Sequence, residues 1–182
     1  MKNKFIPTIL LLFATANSSF FLYAQAALPQ GYGGVTLGMT VDEVKSALLK
    51  NSQFGYRGDS DVSLLPQENR VLIETDGSQG YSFLERCWFQ FYNDKLYIIT
   101  VTMNQKKMDH YSVFSTLCKK YGNPGALDPE KSVWQNDSVI MSLERPLTLK
   151  YTDKVVFDKL QKESLVEKSG EEFSRDRFLE GL

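Results

Sequence analysis

The chain carries a single histidine, His110, so a multi-histidine metal site is excluded and only one residue could serve as the base of a nucleophile–histidine–acid triad. It stands between Asp109 and Tyr111 at the start of a helical pattern, which reads as a surface position. Asp59 and Asp61 lie in a Gly- and Ser-containing loop that could wrap a hard cation through carboxylate oxygens. The full calcium-loop spacing is missing, and a solvated turn is the favoured reading. Glu171 and Glu172 fall in a charged tail, where nothing would bury a carboxyl and raise its pKa for acid catalysis. Gly31-Tyr32-Gly33-Gly34 lacks the helix and lysine that complete a phosphate-cradling loop. These residues lead to the expectation of a non-enzyme with no catalytic residue, no cofactor and no metal.

The two cysteines are the sharpest chemical feature. Cys87 falls in a strand pattern and Cys118 in a helical one, each on an apolar face. An even cysteine count in an exported chain invites a disulfide. A bridge closing ~31 residues would stabilise the fold by roughly 3 to 4 kcal/mol in the chain-entropy account. Two buried thiols packed as small apolar side chains are the alternative. The Cys87–Cys118 bridge is carried forward as the expectation.

Helices and strands alternate around these residues. Thr40 and Glu43 have capping-box spacing, and Val41, Val44, Ala47 and Leu48 form one stripe, predicting a helix from Val41 to about Leu49. Asp109 as cap and Gly122 as terminator bound a second helix, with Tyr111, Phe114, Leu117, Cys118 and Tyr121 on its apolar face. Strands are expected at 62–65, 70–75, 83–92, 96–103, 132–135, 138–143 and 147–151. A third helix is expected from Lys154 to about Lys168. Sliding the chain by 69 residues matches Met39, Val44, Ser46, Leu48 and Lys50 with Met108, Val113, Ser115, Leu117 and Lys119, which suggests a tandem helix-plus-meander repeat. The expected fold class is therefore α+β, an antiparallel β-meander sheet with helices packed on one face.

The hairpin around Asn93-Asp94 gives the strongest surface signal. Counting outward from a two-residue turn places Cys87, Phe89, Phe91, Leu96, Ile98 and Thr100 on one face. Trp88, Gln90, Tyr92, Lys95, Tyr97, Ile99 and Val101 then fall on the other. With helices on the first face, Trp88, Tyr92, Tyr97 and Ile99 form an aromatic surface suited to protein recognition. Cover by the C-terminal helix, the N-terminal segment or a second copy of the chain is the competing expectation for that face.

Across its 182 residues the chain has 21 basic and 22 acidic side chains, and this balance argues against an electrostatic nucleic-acid binder. Its start reads as an export signal: Lys2 and Lys4, an apolar run from Ile9 to Ala14, and Ala24-Gln25-Ala26 before a cut at Ala27. Interruption by Pro7 and by Thr15 to Ser19 keeps the run short of the ~20 apolar residues that span a bilayer. Cleavage would leave 156 residues at a net charge of −3. The expected organisation is a signal peptide at 1–26, an α+β domain at 27–161 and a charged helix or tail at 162–182. The expected location is periplasmic or secreted.

Leu37-Gly38-Met39-Thr40-Val41-Asp42-Glu43-Val44 resembles the helix opening of the small outer-membrane-assembly lipoproteins of the BamE/SmpA type and of the related β-lactamase inhibitory protein fold. Lys119 to Pro124, followed by Trp134, is similar to a closing pattern in exported proteins of this shape. The resemblance implies helices packed on one face of an antiparallel meander, in the inhibitor as a tandem repeat. The lipoproteins' acylated cysteine has no counterpart, since no cysteine precedes Cys87. The functional expectation is a non-catalytic envelope module that binds a protein partner through the aromatic face, with a homodimer as one arrangement. A secreted enzyme inhibitor and a small periplasmic enzyme are the alternatives.

Overall fold

The computed structural model describes residues 27–65, 69–78 and 82–164, with Arg177 and Leu179. The expected signal segment, and all of 165–182 but those two residues, lie outside the described residues.

A small hairpin comes first, β1 (Gly31–Tyr32) against β2 (Val35–Thr36), turned by Gly33 and Gly34 at φ 63° and 92°. Helix α1 (Val41–Lys50) follows, and its capping box is complete: the Glu43 amide donates to Thr40 Oγ1 at 3.2 Å, and the Thr40 amide donates to Glu43 Oε2 at 2.7 Å. Val44 and Leu48 are the fully buried residues of its stripe. The connection 51–61 carries two short 3-10 turns, Ser52–Phe54 and Asp59–Asp61. Four strands come next: β3 (Val62–Leu64), β4 (Arg70–Asp76), β5 (Leu84–Tyr92) and β6 (Lys95–Met103). Helix α2 (His110–Tyr121), capped by Asp109, then leads into β7 (Ala126–Leu127), β8 (Lys131–Gln135), β9 (Val139–Glu144) and β10 (Thr148–Asp153). Residues 154–164 form α3.

All eight strands from β3 to β10 belong to one antiparallel sheet in the order β3-β4-β5-β6-β10-β9-β8-β7. A helix and a four-strand meander thus occur twice, and the two meanders meet through their last strands. The tandem arrangement suggested by the helices is present in the topology. The 69-residue shift that maps Val41, the start of α1, onto His110, the start of α2, does not extend to the strands, because the second unit has shorter connections. There a shift of 52 residues carries Phe89, Phe91 and Ile99 onto Met141, Leu143 and Tyr151.

Helices α1 and α2 cover one face of the sheet, where Phe54, Ile73, Phe89, Ile99, Met141 and Leu143 are wholly buried in a single core with Val44, Leu48 and Leu117. Burying one such side chain contributes about 1.5 to 3 kcal/mol. Near the β5–β6 turn the chain entering α1 adds to the edge of the ladder: the Gly38 amide donates to the Leu96 carbonyl, and the Leu96 amide to the Met39 carbonyl, both at 2.8 Å. Asn93 and Asp94 form the turn at φ 49° and 57°, the left-handed pair a tight hairpin requires.

The hairpin departs from simple alternation. Tyr92 faces Lys95 and Phe91 faces Leu96, but Gln90 faces Ile98, leaving Tyr97 as the extra residue of a bulge. Beyond it, Ile99 opposes Phe89 and Val101 opposes Cys87, so both point into the helix-covered core, while Ile98 and Thr100 turn to the opposite face. The expected faces of these four residues are thereby reversed. Leu96-Tyr97-Ile98-Ile99 is a continuous apolar run with no alternation of its own, and one inserted residue lets Leu96, Ile99 and Val101 all reach the core.

Helix α3 does not join α1 and α2. It leaves the end of β10 and reaches the other face, where the Lys159 ammonium lies 5.7 Å from the Tyr92 ring centroid. The expectation that the helices share one face holds for α1 and α2 and is corrected for α3.

Candidate functional site

The face opposite α1 and α2 is built by β4, β5 and β6. Along β4, Arg70, Leu72 and Glu74 alternate outward from buried Ile73 and Thr75. On β5, Arg86, Trp88, Gln90 and Tyr92 alternate with buried Cys87, Phe89 and Phe91. Ladder pairing sets Arg70 against Tyr92, Leu72 against Gln90 and Glu74 against Trp88.

Two arginine–aromatic groups result. The Arg70 guanidinium carbon lies 5.5 Å from the Tyr92 ring centroid and 6.0 Å from that of Tyr97, and Arg70 Nη1 donates to the Tyr97 hydroxyl at 2.9 Å. The same hydroxyl donates to Gln90 Oε1 at 3.4 Å, so both of its hydrogen-bonding roles are used. The Arg86 guanidinium carbon lies 5.8 Å from the Trp88 ring centroid, and Arg86 Nε is 3.5 Å from Glu74 Oε1. Such stacking holds a planar cation against an aromatic face while leaving donors at its edge for a ligand.

Of the four residues expected on this surface, Trp88 and Tyr92 are half-buried: Arg86 lies over the Trp88 ring, and the Tyr92 ring is met by Arg70 and by Lys159 of α3, so the C-terminal helix reaches part of this face, as the competing expectation had it. Tyr97 is on the same face but only 5% exposed, so it supports the surface more than it forms it. Ile99 is wholly buried on the opposite face, because the bulge at Tyr97 changes the strand's phase. Arg70, Arg86 and Lys159 were missed by sequence reasoning. Arg86 stands two residues before Trp88, and strand alternation alone could have found it. Arg70 required the β4–β5 register, and Lys159 the path of α3.

The cysteines are free thiols, against the expected bridge. Cys87 is wholly buried in β5 opposite Thr75, and burial pushes its thiol up to about 12. Cys118 is half-buried on α2, and burial raises its pKa as well. Desolvation favours the neutral thiol, so neither is a ready nucleophile. Thr75 Oγ1 is the one buried side-chain polar atom without a hydrogen-bond partner among the described residues. The Asp59 and Asp61 carboxylates have internal partners: Asp59 pairs with Lys45 at 2.9 Å, and buried Asp61 accepts from the Arg57 backbone amide, Nε and Nη2. Among the described residues no three His, Cys, Asp or Glu side chains gather as a metal site. No described helix is long and apolar enough to cross a membrane.

The fold and its surface define an α+β protein of two helix-plus-meander units sharing one eight-stranded sheet, with arginines stacked on aromatic rings on its outer face. The chain belongs to the TP0088 domain family, whose model matches residues 30–163. That span runs from the first hairpin into α3 and so includes both units. No curated protein and no solved structure matches the chain.

Proposed function

We propose that the protein is a non-catalytic, exported binding module of the cell envelope that holds a protein partner through the arginine–aromatic face of β4 and β5. The observation that carries this reading is the pair of stacked groups, Arg86 on Trp88 and Arg70 on Tyr92, on a half-exposed sheet face. Tryptophan, tyrosine and arginine dominate the energetics of protein interfaces, and rigid stacked side chains lose little entropy when a partner docks. Export rests on the signal pattern, with Ala27 as the first residue of the mature chain. Fractionation of cells followed by sequencing of the protein's N-terminus tests that part.

For binding, the purified protein is immobilised and exposed to its own envelope fraction beside the Trp88→Ala and Arg86→Ala variants and a Leu64→Ala control at the β3 edge. A partner retained by the parent and the control but lost from both face variants is the expected result. Equal retention by all four would end the proposal.

A second reading, an exported inhibitor that plugs an enzyme cleft with this face, draws on the tandem unit, which is what the resemblance to the β-lactamase inhibitory protein fold implies. It is distinguished by whether the captured partner is an enzyme whose turnover falls on binding.

A further inference from the structure

The first described residues belong to both units. Tyr32 of β1 packs edge-on against Phe54 of the first unit, with ring centroids 6.1 Å apart at 87°, and Val35 of β2 is wholly buried in the core. Tyr32 also reaches the seam: the pKa of Tyr151 is raised first by burial, then by Tyr121 of α2 and by Tyr32. Leu28 is half-buried against the shared core. Ala27 and Leu28 form one wall of a cleft of ~370 Å³ whose other wall is Asn123, Gly125, Trp134 and Asn136 of the second unit. Trp134 is fixed there by its indole Nε1, which donates to the Gly122 carbonyl at 2.8 Å. At the other end of the segment, the Leu37 amide donates to the Gln30 carbonyl at 2.9 Å. Pro29 fixes its own φ and keeps Leu28 extended, so the segment loses little entropy when it seats.

We propose that residues 27–30 are a maturation strap, which seats against the second unit only after the chain has been cut before Ala27 and then ties the two units together. The inference rests on the export reading and goes beyond it by fixing the order of cutting and seating. A peptidase holds the residues on both sides of the bond it cuts as an extended stretch, with their main-chain groups paired to its own cleft. The bond lies between Ala26 and Ala27, and Leu28 is the second residue past it. Leu28 cannot lie in a peptidase and beside Trp134 at the same time. Seating therefore protects the bond, and cutting requires a free strap. Cutting adds water across the amide, leaving a carboxylate on Ala26 and an ammonium on Ala27. Because Ala27 is exposed, the new ammonium keeps its water and does not oppose seating.

The test exposes the folded full-length precursor to purified signal peptidase. Rates are taken relative to those of peptides spanning residues 20–34 with and without the same substitution. Leu28→Ser frees the strap and should raise the rate of cutting about tenfold over the parent. Leu49→Ser, exposed on α1, should be cut as the parent is. Leu84→Ala weakens the core outside the cleft and should also leave the rate near the parent's. In the mature chain, residues 27–182, Leu28→Ser should speed amide exchange at residues 134–136, and Leu49→Ser should not. Equal cutting of the parent and Leu28→Ser precursors overturns the proposal. A rate for Leu84→Ala that rises as far as that of Leu28→Ser also overturns it, because cutting would then wait on general unfolding. Protein recovered from cells with a first residue other than Ala27 removes the export reading and this inference with it. A chain that begins at Ala27 but fails the cutting test overturns this inference alone.

Discussion

Ile99 of β6 lies directly opposite Tyr151 of β10, at the seam where the two four-stranded units share one ladder. Both are buried, and the 52-residue shift that relates the meanders carries one onto the other, so the seam passes through equivalent positions. A core continuous across such a seam couples the units. Ile99→Ala should therefore cost about 2 to 5 kcal/mol and leave a single unfolding transition. Trp88→Ala, on the half-exposed face, should cost clearly less. Urea denaturation of the two variants measures both. Equal losses would place the two side chains in equivalent surroundings, against the bulge at Tyr97.

Cys87 should be silent to thiol reagents in the folded protein, while Cys118, half-buried on α2, should react first. Burial holds the Cys87 thiol at about 12, above its unfolded value, so its contribution to stability is complete below the unfolded pKa. That contribution is lost as pH rises from there toward about 12. Burial also raises the pKa of Tyr151, which steepens the same alkaline loss. Unfolding free energies between pH 8 and pH 11 should fall for the parent and fall less for Cys87→Ala. Parallel curves would show that Cys87 does not titrate with unfolding.

The local elements were legible in the sequence wherever one residue dictates backbone conformation. Thr40 with Glu43, Asp109 with Gly122, and Asn93-Asp94 mark helix ends and a tight turn through hydrogen bonds within a few residues of themselves. The bulge was not legible, because Leu96 to Ile99 is apolar throughout and its phase is decided by the core it meets. The same limit misplaced Ile99 in the candidate surface and hid Arg70, which reaches Tyr97 only once β4 pairs with β5. The equivalence of the meanders was hidden for a different reason: the helices align at a shift of 69 residues and the strands at 52, so no single slide of the chain shows both.

Thr40→Ala removes the hydroxyl that accepts the Glu43 amide and should cost about 1 kcal/mol. Thr40→Ser keeps an acceptor at the same position and should recover most of that loss. The comparison isolates the cap, because α1 is otherwise unchanged and its buried Val44 and Leu48 remain in place. Thermal unfolding of the three proteins measures it. An equal loss in both variants would assign the effect to the threonine methyl group.

Tyr97→Phe separates the support of the candidate surface from the stability of the core. The ring stays, so the contact with the Arg70 guanidinium at 6.0 Å is retained, but the hydroxyl that accepts from Arg70 and donates to Gln90 is lost. Such a hydrogen bond contributes about 1 kcal/mol to stability, a small change in melting temperature for a domain of this size. Partner retention should fall more than that figure accounts for, because Arg70 would lose the contact that fixes its plane over Tyr92. Gln90→Ala, which removes only the 3.4 Å acceptor, should have the smaller effect on retention. If Tyr97→Phe binds as the parent does, Arg70 is held by Tyr92 alone and the hydroxyl plays no part in recognition.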